Sequence, residues 1–462
     1  MKSINLLALV MLATPQFANA YDVTDAIDAA LQNNTQLKEN EIGLKSVKLN
    51  RFAAATEFLP TIAIQSNSSS LASDGQPLQT GTPRSDQLQI SQEIFSGGKG
   101  IYDLKSTKYG ADAATVQFQN SVDSVVIQTV QAYEYVIATR QAYGVSQQKV
   151  DSLKKIEKQS EIKLSVGAIT KTNMLEAKAR LAAAISEKEG AYANMKDAEE
   201  NFRYVTGDDA PAKMDELDIK NLPLPNNLEL FLEQVEQNNQ GIIAADKNLT
   251  AKQFATRSAK TALLPKVSAS TSIGRQKYWD TSSFFSGPQL RQANGETYQL
   301  SLTIPIFQSG KEYVQIRKAQ LDEDSAEVNK ENTIMKTHKD AAAAWNKFNQ
   351  TKVSVKSDTE SVEYYREFAR GADEEFQIGT KTLTDLLQAQ VQYEDSRIKL
   401  IQDKAAMIVS GLNMRFLMGD LSKINFSKLV VKEKNPQKNT KVVKQSADLS
   451  GTNIEKVAEI ST

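Results

Sequence analysis

The sequence contains two copies of one pattern, and this duplication constrains the fold more than any other feature. Pro60 recurs as Pro265, an offset of 205 residues, and Gly167 recurs as Gly379, an offset of 212. The register of the repeat therefore shifts once, by seven residues, between Pro60 and Ile94. Two blocks of constant length beside one variable stretch indicate a rigid scaffold with a surface loop at one end.

Each copy predicts the same order of elements: a helix, two strands joined by a loop, a very long helix, a turn and another helix. The copies are predicted at residues 21–207 and 227–419, with a proline-containing linker at 208–226 between them. The first helix of each copy, at about 24–58 and 227–263, ends before a Leu-Pro pair. Proline ends a helix because it lacks an amide hydrogen and disfavours helical geometry in the preceding residue.

Four segments alternate between apolar and polar residues at period two, which predicts β-strands. Breaker-rich loops at 72–84 and 279–296 separate the members of each pair, and we expect the seven-residue difference to lie in these loops. The strands are predicted at residues 61–71, 85–94, 266–278 and 297–304. Proline and glycine mark the predicted changes between helix and strand, at Pro60, Gly97, Gly98, Pro265, Pro305 and Gly310.

The alternation fits either a half-buried sheet in a soluble protein or a barrel in a membrane. Strands of about ten residues with long loops at one end favour the barrel. An export signal favours it too: residues 1–20 have a charged start at Lys2, an apolar core and an Ala-Asn-Ala cleavage pattern, so that the mature chain is expected to begin at Tyr21. Four strands cannot close a barrel, because an open edge in lipid leaves backbone groups unsatisfied. A dimer would supply eight strands and a trimer twelve, and the residues leave both open.

After Gly97 and Gly98 the pattern is helical to about Leu164. At 1.5 Å per residue such a helix is about 100 Å long and must pack against others along its length. The alternative is a coiled-coil rod in a trimeric adhesive or structural surface protein. That rod needs a more sustained apolar seam than this segment has.

Composition and motifs argue against catalysis and metal binding. The chain has no cysteine, which excludes disulfides, thiolate metal sites and a cysteine nucleophile. Its single histidine, His338, falls on a predicted packing stripe, and no catalytic triad, phosphate loop or zinc motif is present. The net charge of −1 gives no argument for nucleic acid. We expect no enzyme activity and no cofactor, and a disordered, lysine-rich tail at 420–462.

Taken together and in order, the repeated motifs resemble the TolC family of bacterial outer-membrane efflux and secretion proteins over about residues 24–419. They are an Asn-Asn pair in the first helix, Leu-Pro before the first strand, Pro305-Ile306-Phe307 with Gly310 at the strand exit, and a Gly-x-x-Thr turn before Asp-Leu-Leu-x-Ala. The first copy departs from the pattern in having Glu93 where the second has Pro305.

The resemblance implies a mainly α fold with membrane β structure. Three copies would form one twelve-stranded outer-membrane β-barrel in lipid, continuous with a long α-helical barrel in the periplasm of a Gram-negative bacterium. Such a duct conducts cargo passively in a tripartite efflux pump or a type I secretion system. Its partners would be a periplasmic adaptor protein and an inner-membrane transporter of the ABC, RND or MFS type.

The resemblance also places a gate at the periplasmic helix tips. Asp385 matches an acidic residue that would form a carboxylate ring in the closed entrance, and Gln388 stands where a second acid would lie. Three further positions, Lys381, Thr172 and Phe376, match residues that hold the gate shut. Asn173 replaces an acid that would pair with a base, so closure is expected to be weaker or to use other contacts. The tips that meet the adaptor are expected at Gly167 and Gly379.

Overall fold

The computed structural model describes residues 21–68, 83–219, 222–280, 289–421, 424, 426, 429 and 430. The predicted export signal and the lysine-rich residues 432–444 lie outside these ranges. In chain order the helices and strands are α1 Val23–Asn33, α2 Thr35–Thr56, β1 Thr61–Ser68, β2 Arg84–Phe95, α3 Lys99–Ser165, α4 Lys171–Thr206, α5 Leu228–Asn238, α6 Gln240–Lys260, β3 Lys266–Asp280, β4 Gln289–Thr303, α7 Lys311–Gln377 and α8 Leu383–Leu417. The elements follow the predicted order in both copies, except that two helices stand in place of the first predicted helix of each copy.

Two helices of identical length, α3 and α7, form the frame of the molecule. Each has 67 residues, or about 100 Å at 1.5 Å per residue. Near the sheet α3 packs between α2 and α6, and further on it packs between α4 and α8. Helix α7 packs first against α6 and then against α8. None of the described helices has the length and apolarity to cross a membrane.

The four strands form one antiparallel sheet in the order β1-β2-β3-β4, so the two copies meet where β2 pairs with β3. One row across the sheet is Ile64, Leu88 and Ile273 with Glu296 on β4, and the adjacent residues on the opposite face are Gln65, Gln87, Gly274 and Gly295. The sheet therefore has an apolar face and a face of small and amide side chains. Strands β1 and β4 are its two edges.

The seven extra residues of the second copy lie at the loop end of its hairpin, as expected. Ser68 pairs with Arg84 in the first copy, and their counterparts Ile273 and Glu296 pair in the second. Between these paired residues the first copy has 15 residues, 69–83, and the second has 22, 274–295. The prediction of a loop over all of 279–296 was wrong, because β3 extends to Asp280 and β4 starts at Gln289.

Because the first copy has Glu93 where the second has Pro305, the chain leaves the sheet differently in the two copies. Strand β2 continues through Glu93 to Phe95 with a shift in its register to β3. Strand β4 stops at Thr303, because Pro305 has no amide hydrogen to donate to a neighbouring strand. Both exits then use left-handed backbone before the long helix: Gly97 and Gly98 in the first copy, Ser309 and Gly310 in the second.

The predicted single helices at 24–58 and 227–263 are each two helices. Asn34 and Asn239 end one helix and begin the next. The Asn34 side chain accepts a hydrogen bond from the Leu37 amide at 2.9 Å, and that of Asn239 accepts one from the Gly241 amide at 2.9 Å. Asparagine suits the start of a helix because its side-chain oxygen accepts a hydrogen bond from an amide that has no partner within the helix.

The ends of α4 and α8 dock against these two breaks. The Asn33 side-chain amide donates to the Thr206 carbonyl at 3.0 Å, and that of Asn239 donates to the Leu417 carbonyl at 2.9 Å. A Cβ atom on Gly419 would lie 2.2 Å from the Asn238 carbonyl oxygen. The repeated Asn-Asn pair therefore fixes the far end of each hairpin to the middle of the molecule.

The largest apolar core lies beside these breaks and includes segments that we expected to be a linker and a tail. Tyr133 is fully buried, and its hydroxyl lies 2.9 Å from the carbonyl oxygens of both Tyr21 and Asp215. Leu421 and Leu429 are buried in the same cluster. The expectation of disorder from residue 420 onward therefore fails for these residues, because they cover the core.

Two glycines that face each other in the sheet should respond differently to alanine. A Cβ atom on Gly274 would lie 2.2 Å from the Asp86 carbonyl oxygen, whereas Gly295, its partner on β4, has open space. We expect Gly274→Ala to destabilise the sheet by about 1–3 kcal/mol and Gly295→Ala to be close to neutral. The measurement is the temperature at which the purified protein loses its folded gel mobility. Equal values for the two variants would contradict the close approach at Gly274.

Candidate functional site at the hairpin tips

The two turns that join α3 to α4 and α7 to α8 have the same backbone design. Gly167 and Gly379 have φ values of 73° and 84°, in the left-handed region that glycine adopts without strain. After each glycine the chain bonds back to the helix it has left: the Ala168 amide to the Lys163 carbonyl at 2.8 Å, and the Thr380 amide to the Glu375 carbonyl at 2.9 Å. Both turns therefore form well-defined C-terminal caps of the long helices, and both glycines are exposed to solvent.

Threonines begin the returning helices, and the two predicted gate residues Asn173 and Asp385 complete their caps. The Thr170 hydroxyl donates to the Asn173 side-chain oxygen at 2.6 Å. In the second copy one oxygen of Asp385 accepts both the Thr382 hydroxyl, at 2.7 Å, and the Thr382 amide, at 3.1 Å. This is a capping box, so Asp385 has a structural task that we did not predict.

The cap also sets the charge of Asp385. The Thr382 hydroxyl and amide, together with the nearby Lys381 ammonium, hold the pKa of the Asp385 carboxyl below its usual value. The residue is solvent-exposed, and its second oxygen remains available to ions. A carboxylate with these donors remains ionised to a lower pH than a free one.

Lys381 makes its contacts inside the second hairpin. Its ammonium lies 3.4 Å from a Glu375 carboxylate oxygen and 4.9 Å from the centre of the Phe368 ring. Both partners belong to α7, the helix that precedes Lys381 across the turn. In the single chain Lys381 therefore holds the tip of one hairpin together.

Phe376 joins the two hairpins. It is 3% exposed and packs in a cluster with Leu383, Leu386 and Leu387. The Lys163 ammonium lies 3.7 Å from the centre of the Phe376 ring and donates to the Phe376 carbonyl at 3.0 Å. We did not predict Lys163, whose copy in the second half is the acid Glu375. That loss of internal symmetry is the signal that could have identified it.

A second contact between the hairpins was also missed. The Thr384 hydroxyl donates to a Glu176 oxygen at 2.7 Å, joining α8 to α4. At the offset of 212 the matching residues are Thr172 and Gln388, both exposed in the single chain. The structure thus brings together Phe376 and Lys163, and leaves Thr172 and Gln388 on the surface.

A buried lysine reinforces this end of the molecule from further along α3. The Lys149 ammonium lies 2.6 Å from Glu187 on α4 and 2.9 Å from Asp395 on α8, with its side chain only 6% exposed. Burial by itself would lower the pKa of Lys149, but the hydrogen bonds that its ammonium donates to Glu187 and Asp395 together outweigh burial and raise the pKa. Within the described ranges no group of three or more acidic or histidine side chains could hold a metal ion.

The architecture defines a class of protein: a duplicated chain with a small four-stranded sheet at one end and two helical hairpins at the other, each of which begins with a helix of about 100 Å. A family model described as outer membrane efflux protein matches residues 26–208 and 231–420, and the chain belongs to that family. It is an outer-membrane transport protein of the TolC type. Its family is one of channels rather than enzymes.

Individual relatives are distant in sequence but similar over most of their length. The outer membrane efflux protein BepC of Brucella suis is 23% identical over 432 residues, which cover 93% of this chain and 92% of that protein. The outer membrane protein TolC of Escherichia coli is 22% identical over 347 residues, covering 72% of this chain and 69% of TolC. The crystal structure of the Campylobacter jejuni CmeC outer membrane channel has a TM-score of 0.75 at 20% identity, with 88% of both chains covered.

Proposed function

We propose that three copies of this chain form the outer-membrane exit duct of a tripartite efflux pump or type I secretion system. The observation that carries the proposal is that β1 and β4 are edge strands of the sheet with no neighbouring strand on their outer side. The sheet lies at one end of two long helices that are equal in length. Joining β4 of one copy to β1 of the next removes every edge, as lipid requires. Three copies then give twelve strands.

The two faces of the sheet support a water-filled barrel. The apolar face turns to lipid, and the face that carries Gln65, Gln87 and Gly274 turns to the lumen. Because both helical hairpins have the same length, three copies place six tips at one level. Cargo passes through this duct without an energy-converting step, and an adaptor and an inner-membrane transporter supply it.

The hairpin tips form the gate in this proposal. Lys163 and Phe376 hold the two hairpins of one copy together, while Lys381 and Glu375 hold the second turn. Asp385 contributes a ring of three carboxylates at the entrance. Gly167 and Gly379 present open turns to the adaptor.

The proposed duct is tested by measuring the mass of the purified protein and its conductance in a lipid bilayer. The purified protein should have the mass of a trimer, and in a planar lipid bilayer it should form channels of low conductance that open further when Lys381→Ala weakens the second turn. A monomer or dimer without channel activity would contradict the proposed duct. If the protein is a trimeric channel and Lys381→Ala does not alter its conductance, the proposed duct stands but Lys381 has no role in the gate.

Asp385→Asn should reduce the preference of the closed channel for cations. Asparagine keeps an oxygen that accepts the Thr382 hydrogen bonds, so the cap persists while the three charges disappear. The ratio of cation to anion permeability, obtained from reversal potentials, should fall severalfold, and block by multivalent cations should weaken. In the unaltered protein the preference should be present at neutral pH and be lost at acid pH as the three Asp385 carboxylates become protonated. The contacts with Thr382 and Lys381 lower the pKa of Asp385, whereas repulsion among the three carboxylates raises it.

A substitution at Gln388 should have the opposite effect on the cation preference of the channel. Gln388→Glu adds a carboxylate one helical turn from Asp385, where the side chain is exposed. It should strengthen cation preference and block. If neither variant alters ion selectivity, the tips do not line the pore.

A further inference from the structure

The apolar face of the sheet changes character toward the strand ends that lie away from the helices. Ile64, Leu88 and Ile273 form the last row that is apolar on three strands, and its fourth residue is Glu296 on β4. On β3 and β4 the same face ends with Trp279 and Leu290. Two rows of polar and charged residues lie between these two residues and the apolar row. They are Ser66, Asp86, Arg275 and Asn294, and then Ser68, Arg84, Lys277 and Gln292.

These two rows contain three cations and one acid. Arg84 and Lys277 are direct partners across the β2-β3 ladder, an arrangement in which like charges repel. The acid, Asp86, accepts from the Arg84 guanidinium at 2.9 Å and from the Ser66 hydroxyl at 2.6 Å. Arg275 and Lys277 are exposed. The two rows therefore have a net charge of +2, which the neighbouring Glu296 reduces to +1, and an anion bound there would relieve the repulsion between Arg84 and Lys277.

The height of the patch fits the boundary between lipid and water. From Val267 to Lys277, β3 extends about 33 Å along the strand at about 3.3 Å per residue, which is a height of about 25 Å at a strand tilt of about 40°. The apolar band of a membrane barrel is roughly 25 Å tall. Arg275 and Lys277 therefore lie near the upper limit of this band, at the end remote from the helices. With the helices in the periplasm, that end is the outer leaflet.

We propose that Arg84, Arg275 and Lys277 form a basic rim that binds the phosphate groups of outer-leaflet lipids. The two guanidinium groups match phosphate oxygens in pairs, and the ammonium adds a point charge. The acyl chains of the same lipid lie against Leu88 and Ile273 below. This inference rests on the proposed function, because the apolar face must point outward from a closed barrel.

Native mass spectrometry of the full-length protein in detergent measures this binding directly, with bisphosphorylated lipid A as the probe. Arg275→Gln combined with Lys277→Gln should weaken binding roughly tenfold. The matched control combines Lys260→Gln and Lys266→Gln, which removes the same charge at the helix end of β3 and should leave binding unchanged. Asp86→Asn removes the competing carboxylate and should strengthen binding.

Lipid A without its phosphates provides the second comparison, and it should bind equally to the unaltered protein and to the double variant. The inference would be overturned if the control variant lost as much binding of phosphorylated lipid A as the variant with Arg275→Gln and Lys277→Gln, or if the latter lost no binding. Trimer mass and channel conductance are recorded on the same preparations. Intact trimers that conduct but show no dependence on the basic rim refute only the lipid site, whereas absence of trimers refutes the proposed duct.

Discussion

Gly419→Ala is expected to destabilise the protein by roughly 2–5 kcal/mol. Gly419 has a φ of 66°, a conformation that costs a residue with a Cβ atom about 1–2 kcal/mol. The added carbon would also lie 2.2 Å from the Asn238 carbonyl oxygen, a backbone atom that cannot move alone. Overpacking of this kind adds about 1–3 kcal/mol. The midpoint of urea unfolding, followed by helical circular dichroism, should fall.

Gly190→Ala is the matched control for this substitution. Gly190 is exposed within α4, has no atom near the position of a Cβ, and lies in ordinary helical geometry. Alanine there should raise stability by about 0.5–1 kcal/mol, because glycine is a poor helix former. If Gly419→Ala and Gly190→Ala unfold at the same urea concentration, the end of α8 is not fixed against the break between α5 and α6.

The duplication predicted most of the fold because helix length and strand alternation are local properties. The long helices were predicted to end near Leu164 and its counterpart, and they end at Ser165 and Gln377. The break at Asn34 was missed, although the Asn-Asn pair was noted as a repeated motif. Asparagine is only a weak helix breaker by itself, and its effect here depends on Thr206 of α4, which is 173 residues away from Asn33.

The candidate site was less predictable, since its contacts join distant residues. The resemblance supplied Phe376 and Asp385 but not their partners. Lys163 lies 213 residues before Phe376, and no periodic pattern links them. Asp385 could have been recognised from the residues alone as the last member of a Thr-x-x-Asp cap, which is a local motif. Its role at the pore depends on other copies of the chain and remains a prediction.

Phe376→Ala is expected to open the hairpin tips. Removal of a buried phenylalanine typically costs about 3–5 kcal/mol, and here the ring also carries the contact with the Lys163 ammonium. A loss of this size raises the population of a separated tip by about two to four powers of ten. Single-channel conductance in a lipid bilayer should rise and long closures should become rare. Tyr364→Ala, which removes an exposed aromatic ring from the same helix, should leave both unchanged.

Two milder variants separate packing from charge at this contact. Phe376→Leu removes the ring but leaves the backbone carbonyl that accepts from Lys163 at 3.0 Å. Lys163→Met keeps the aliphatic stem and removes both the hydrogen bond and the ammonium over the ring. If the lysine holds the hairpins together, Lys163→Met should open the channel at least as much as Phe376→Leu. If only apolar packing closes the tips, Phe376→Leu should open them and Lys163→Met should behave as the unaltered protein, because its stem still covers the ring.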